Sequence, residues 1–349
     1  MLVSRRNLLL SAAAFFPLRA QDKPDAKTDA KFAAGVDLVN VLVGVQNSKN
    51  EIVKDLKQED FTIEEDGHPQ VIKFFSRETD LPLTLGLMVD TSGSQYHVLG
   101  KEKDATSKFI NQVIREDKDQ AFLIKFDSEA ELMQDLTPSR KKLQSALNDV
   151  EGTPRQLQRR DPNSSSSSGG GGHAGTVLYD SVLLASNEEM KKLKGRKALI
   201  LLTDGNDRGS KVSLSDSIEA AQRADTLVYS IYFADQEQSN SGFNPGMGGG
   251  RHGGMGGGGG RQRQQTSRGD GKKILQRISK ETGGAYFEVS KKTPIEKIYE
   301  QIEEELRSQY SLGYSSDQKN AGAGFRKIKV TVTGKGLVVQ TRDGYYATT

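Results

Sequence analysis

Asp90-Thr91-Ser92-Gly93-Ser94 is the segment of this chain whose residue types and spacing could do chemistry. Three oxygen-bearing side chains, Asp90, Ser92 and Ser94, recur at every second position directly after the apolar run 81–89. None offers sulfur or imidazole, so the donors suit a hard cation such as Mg2+. The same residue types also favour turns and helix starts, so a capped turn accounts for the segment taken alone. Other chemistry finds less support. The four histidines, His68, His97, His173 and His252, are scattered without metal-ligand spacing. Ser92 and Ser94 lack the G-x-S-x-G surroundings of a hydrolase nucleophile, and the Gly-rich tracts contain no G-x-x-x-x-G-K-[ST] phosphate loop. No nucleophile–base arrangement can be read, so the sequence points to a chain that is not an enzyme.

The elements around Asp90 must hold it at the end of a strand. Residues 81–308 alternate strands and helices, which predicts a doubly wound, mostly parallel α/β sheet with helices on both faces. The run 81–89 reads as a strand buried on both faces, and ligand sites of such sheets gather at the carboxyl ends of strands. Further strands are predicted at 120–126, 131–136, 197–202, 226–233 and 285–289. Helices are predicted at 96–114, from Pro138 to 150 with Thr137 as cap, and at 176–193, 214–224, 272–282 and 293–307. The flanks 34–78 and 309–349 are β-rich, with turn signals at Asp66-Gly67 and Asp343-Gly344. In this topology head and tail meet at the end of the sheet away from Asp90, so the two flanks are expected to pair as one small β-sandwich-like module. Two low-complexity stretches, 161–175 and 236–271, cannot bury enough apolar surface to order themselves and are expected to be flexible loops on the Asp90 face.

With these contexts fixed, Asp90-x-Ser92-x-Ser94 resembles the metal-ion-dependent adhesion site of integrin-type A domains. Gly175-Thr176, opening a helix, and Thr203-Asp204-Gly205, ending the apolar strand 199–202, match the rest of that site. The α/β region thus resembles a von Willebrand factor A-type domain. The head before Leu81 and the tail after the last helix resemble the exported VWFA-related proteins of the acidobacterial type. The resemblance implies a divalent metal at Asp90, Ser92, Ser94, Thr176 and Asp204. In the family the two serines and either the threonine or the second aspartate reach the metal directly, and the other acidic contacts pass through water. All five side chains offer oxygen and only two carry charge, which favours Mg2+, with Mn2+ or Ca2+ also compatible. A cation so little neutralised stays electrophilic, and an open coordination position would take a carboxylate from a protein partner. Asp207 reads as a solvated turn residue. Arg268-Gly269-Asp270 spells an integrin-binding tripeptide, in a Gly- and Arg-rich stretch where such a triplet arises easily by chance.

The bulk numbers narrow the class. The chain has 349 residues, room for one large domain and a small one. Lys+Arg 49 against Asp+Glu 46 leaves a net charge of +3, which argues against a dedicated nucleic-acid binder. There is no cysteine, which excludes disulfides, zinc-thiolate sites, thiol catalysis and a cysteine lipid anchor. Residues 1–20 read as an export signal. Ser4-Arg5-Arg6-Asn7-Leu8-Leu9-Leu10 resembles a twin-arginine motif, the apolar run 8–16 is shorter than the ~20 residues that span a bilayer, and Ala20 suits the cleavage position. Residues 21–33 read as a flexible leader, and no later segment is apolar enough to cross a membrane. The expectation is an exported, periplasmic or secreted module for metal-dependent protein binding or adhesion. Two alternatives stay open: a structural envelope protein with a vestigial metal site, and an accessory subunit of an ATP-driven complex.

Overall fold

A computed structural model describes residues 38–77, 81–152, 175–233, 259–317 and 322–347, with backbone alone over 259–269. The export signal, the leader, residues 161–174 and residues 236–258 lie outside the described residues.

The described chain opens with β1 (Leu38–Gln46), whose Val39, Val41, Val43 and Val45 alternate onto one buried face. It is followed by β2 (Phe61–Glu65), β3 (His68–Gln70) and β4 (Ile72–Ser76). Asp66 and Gly67 both take positive φ, as the turn joining β2 to β3 requires. The α/β region then runs β5 (Leu83–Asp90), α1 (Leu99–Val113), β6 (Gln120–Phe126), β7 (Ala130–Thr137), α2 (Arg140–Asp149) and α3 (Leu178–Leu184). It continues through β8 (Arg196–Thr203), α4 (Leu214–Arg223), β9 (Leu227–Tyr232), α5 (Gly259–Thr282), β10 (Tyr286–Glu288) and α6 (Ile295–Arg307). The tail returns to β structure with β11 (Tyr310–Ser315), β12 (Gly324–Val332), β13 (Val338–Gln340) and β14 (Gly344–Ala347).

The central sheet has the order β10-β9-β8-β5-β6-β7, parallel throughout except for the antiparallel edge strand β7. Its innermost strands are apolar on both faces because helices cover both. On one face Leu85, Leu87, Ile200 and Tyr229 meet Phe109, Leu143 and Ile302 from α1, α2 and α6. On the other Met88, Leu199, Leu201 and Val228 meet Val182, Ile218 and Leu275 from α3, α4 and α5. This is the doubly wound architecture the alternation predicts.

The flanks form two four-stranded antiparallel sheets, β13-β1-β11-β4 and β14-β12-β2-β3, each mixing strands from the head and the tail of the chain. Val41, Val43, Phe61, Ile63, Tyr310, Leu312 and Ile328 fill the space between them. The unit is fastened to the amino ends of the parallel strands. Arg196, the first residue of β8, donates to the Leu306 and Gln309 carbonyls at 3.0 and 3.1 Å. Arg342 donates to Asp225, just before β9, at 2.6 Å and to the Asn40 carbonyl at 2.7 Å. The carboxyl ends of β5 and β8 are therefore left clear of the sandwich.

Four expected boundaries differ. Helix α1 begins at Leu99, not 96, because residues 93–98 form a stack of turns. Helix α2 is capped by Ser139, which accepts from the Lys142 N–H, and not by Thr137. The single helix expected at 176–193 is α-helical only to Leu184 and widens into a π-helix over Ala185–Met190, where the Ser186 hydroxyl takes the Val182 carbonyl. Residues 259–271, expected to belong to a flexible loop, are the first half of α5. Helical backbone there continues upstream from the apolar stripe of Leu275 and Ile278, which docks the rest of the helix.

Candidate metal centre

Asp90 ends β5 between two parallel neighbours, in register with Phe126 of β6 and one residue beyond the Val89–Leu202 pair with β8. Its side chain is 0% exposed. One carboxylate oxygen accepts the Ser92 N–H at 2.9 Å and the other accepts the Thr203 hydroxyl at 2.5 Å. Thr203 is held in turn by the Gly205 N–H, which donates to its hydroxyl oxygen at 3.1 Å. Beyond Asp90 the chain rises toward solvent: Ser92 is half-buried, Ser94 is exposed, and their hydroxyls lie 3.1 Å apart.

The loop after β8 closes the other side. Asp204 is 9% exposed, and its carboxylate accepts the Asn206 N–H at 3.0 Å. Gly205 has φ +74°, and a Cβ there would lie 2.4 Å from the Gly271 carbonyl oxygen of α5. A Cβ on Gly271 would in turn lie 2.3 Å from the Asp204 carbonyl oxygen. Two glycines thus let α5 touch the Asp204 backbone directly. Thr176 is 7% exposed and is tied to the same loop, because its carbonyl accepts the Arg208 and Gly209 N–H groups. Its neighbour Val177 donates to the Asp127 carbonyl at the end of β6.

The five residues singled out from sequence therefore come from three loops at one end of the sheet. Asp90, Ser92 and Ser94 are linked by hydrogen bonds. Among the described residues no hydrogen bond joins the Thr176 or Asp204 side chain to them. Asp207 is not the solvated turn residue expected: it accepts the Tyr179 N–H at 3.2 Å and the Ser210 hydroxyl at 2.5 Å, and so anchors the start of α3. His97 is exposed and His68 lies in the sandwich hairpin, while His173 and His252 fall outside the described residues. Sequence reading missed Thr203, which sets the orientation of Asp90, and two buried side chains on the α1 side, Gln95 and Glu102.

The electrostatics among the described residues are set by two carboxylates close together. Burial and then the charge of Asp204 push the Asp90 carboxyl up to about 7, against the opposing effect of the Ser92 and Thr203 hydrogen bonds. No Lys or Arg bonds to Asp90 or Asp204 among the described residues. The donor set suits a hard divalent cation. Every atom is oxygen, the Thr176 hydroxyl has no hydrogen-bond partner among the described residues, and the carboxylates keep unused lone pairs. No three His, Cys, Asp or Glu side chains converge on one point among the described residues, so a cation here depends on the hydroxyls as well as on the aspartates.

Residues 85–301 match the von Willebrand factor type A domain. The chain belongs to that family. The family is one of metal-dependent protein-interaction modules. No curated protein matches this VWA chain. Among solved structures, an aerotolerance-related membrane protein from Bacteroides fragilis is 16% identical, over 64% of this chain and 98% of that one, with a TM-score of 0.43. Proximal thread matrix protein 1 from the mussel byssus, described with a zinc-occupied MIDAS motif, is 14% identical, over 69% and 49%, with a TM-score of 0.44. A von Willebrand factor type A protein from Catenulispora acidiphila is 10% identical, over 91% and 75%, with a TM-score of 0.43. No described helix of the VWA chain is long and apolar enough to cross a membrane.

Proposed function

We propose that this protein is an exported, non-enzymatic VWA module that captures a protein partner through a divalent cation held by Asp90, Ser92, Ser94, Thr176 and Asp204. The observation that carries this reading is Asp90 itself. A carboxylate 0% exposed, under the charge of a second carboxylate, beside hydroxyls and with no basic partner among the described residues, is a poor structural element and a good cation ligand. Asp90 and Asp204 supply the charge that offsets the cation. The hydroxyls of Ser92, Ser94 and Thr176 add neutral donors, which leave the bound charge only partly compensated. Thr203 and the Ser92 N–H hold Asp90 in one orientation. Mg2+ fits this set by donor type, with Mn2+ and Ca2+ also compatible, and when bound it supplies a coordination position for a carboxylate of the partner. The two β flanks lie at the opposite end of the sheet, so a partner approaching Asp90 does not meet them. The twin-arginine-like N-terminus, with the resemblance of head and tail to the exported VWFA-related proteins of the acidobacterial type, supports a periplasmic or secreted location.

The experiment is a pull-down from envelope extract with tagged wild-type protein and Asp90→Ala, in Mg2+ and in chelator. Capture by the wild type in Mg2+, lost in chelator and lost in a folded Asp90→Ala variant, is the expected result. Full capture by folded Asp90→Ala in chelator overturns the reading and assigns recognition to another surface.

A further inference from the structure

Helix α1 and the turns before it carry two polar side chains that the five-residue centre does not use. Gln95 is 1% exposed and Glu102 is 0% exposed. Among the described residues, neither the two amide atoms of Gln95 nor the two carboxyl oxygens of Glu102 have a hydrogen-bond partner. Buried polar groups are nearly always paired, so four orphaned atoms on one stretch of chain call for a ligand or a solvent molecule that they serve. Their placement is continuous with the metal loop. The Gln95 N–H donates to the Ser92 carbonyl at 2.8 Å, the Leu99 N–H to the Gln95 carbonyl at 3.0 Å, and the Glu102 N–H to the Val98 carbonyl at 3.1 Å. Gln95 lies in the turns that lead out of the metal loop, and Glu102 lies seven residues on, in the first turn of α1.

Nearby polar groups do not satisfy them. Thr106 and Tyr299, the next polar pair along α1, bond to each other at 2.9 Å. The remaining residues of the stripe, Leu99, Ala105 and Phe109, are apolar. The charges that act on Glu102 are those of Asp90 and Asp204, which together with burial hold its carboxyl well above the usual range. Glu102 therefore lies within electrostatic reach of both acids of the centre, yet the three do not converge closely enough to grip one ion.

We propose that Glu102, with Gln95, forms an inner polar layer of the metal centre, which contacts the ion's water ligands or coordinating hydroxyls and not the ion itself. The proposal rests on the metal reading given above and deepens it. A third carboxyl in electrostatic reach of the centre can give up its proton when a divalent cation binds, and its oxygens then accept hydrogen bonds from groups that the cation polarises. A leucine at 102 would continue the apolar stripe and remove a costly buried group, so a purely structural role would make that change harmless or stabilising.

The test compares wild type, Glu102→Leu, the near-isosteric Glu102→Gln and Gln95→Leu. Mg2+ and Mn2+ affinities come from isothermal titration calorimetry, and the melting temperature is taken in chelator. The expected result is a loss of affinity on the order of tenfold to a hundredfold for Glu102→Leu, with a smaller loss for Glu102→Gln and Gln95→Leu. The metal-free melting temperature of Glu102→Leu should hold or rise. Affinities within twofold of wild type for both Glu102 variants overturn the inference and leave the metal centre standing. A wild type that binds neither ion overturns the metal reading, and the inner layer with it. Should Glu102→Leu fail to fold, the affinity of Glu102→Gln decides.

Discussion

Replacing Asp90 by Asn should stabilise the metal-free protein and make it blind to metal. The folded Asp90 carboxyl titrates at about 7 against an ordinary 3.8, so above pH 7 its ionisation costs the fold about 4 kcal/mol. Asn is isosteric and uncharged. It keeps an acceptor for the Ser92 N–H but disturbs the bond from the Thr203 hydroxyl, which costs about 1–2 kcal/mol. The net gain is about 2–3 kcal/mol, or about 3–5 °C in melting temperature for a chain of this size. The direction with pH follows from the raised value. The folded chain holds the Asp90 proton more tightly than the unfolded chain, so the metal-free wild type loses stability as pH rises from 3.8 to about 7, and the Asn variant lacks this loss. Its advantage is therefore full at pH 8 and gone below pH 3.8. The assay is thermal melting by circular dichroism in chelator at pH 8 and pH 5, and again at pH 8 with Mg2+. A cation at a hundred times its Kd should raise the wild type by about 2.7 kcal/mol and leave Asp90→Asn unmoved. An Asp90→Asn protein that melts at or below wild type in chelator at pH 8 would refute the claim that this carboxylate is a stored destabilisation.

Asp119→Asn should act in the opposite direction, costing about 3–5 kcal/mol in urea unfolding, because it breaks a buried ion pair with Arg115 and Arg307. These partners hold the Asp119 carboxyl well below the usual range, so its contribution is complete above the ordinary Asp value and fades as pH falls below it; a pH series of urea midpoints should show that acid-side loss in wild type and not in the variant. Gly271→Ala should weaken Mg2+ binding on the order of tenfold while circular dichroism stays native, because the new Cβ would meet the Asp204 carbonyl oxygen at 2.3 Å and must displace that loop. Unchanged affinity and unchanged melting temperature for Gly271→Ala would show that the α5 contact is not coupled to the centre.

Much of this arrangement is legible in the sequence, for physical reasons that can be named. An eight-residue strand with apolar residues on both faces can only sit inside a covered parallel sheet, and Asp90 at its end then has to face the carboxyl edge. Valines at alternate positions mark β1 as a one-sided strand, which needs a second sheet to close it. Glu102 was readable but easy to misjudge. It falls four residues after Val98 and three before Ala105, squarely on the apolar stripe of α1, where a charged residue is ordinarily assigned to solvent. Thr203 gave no such signal, since a threonine in a buried strand is unremarkable until the register sets its hydroxyl against Asp90. The first half of α5 was not legible because Gly259 to Gly271 contains no apolar residue to mark a stripe and four glycines that weaken a helix.

Two buried aspartates show how the fold separates stability from binding. Asp119 lies at the amino end of the sheet and is fully buried, yet Arg115, Arg307 and the N–H groups of Leu83 and Arg115 satisfy both of its oxygens. It fastens α1, β5 and α6 together, near where the sandwich is tied on through Arg196. Asp90 lies at the other end of the same strand system and is just as buried, but its hydrogen bonds come from the Thr203 hydroxyl and the Ser92 N–H, and the charge that acts on it is that of Asp204. The chain is not short of cations, with 49 Lys and Arg residues. Among the described residues, one end of the sheet is neutralised internally and the other is not. Burial beside Asp204, with no basic partner among the described residues, costs stability at Asp90. The proposed cation would supply a counter-charge that the described residues at this end of the sheet do not, and the metal-free Asp90→Asn and the Asp119→Asn experiments should move stability in opposite directions.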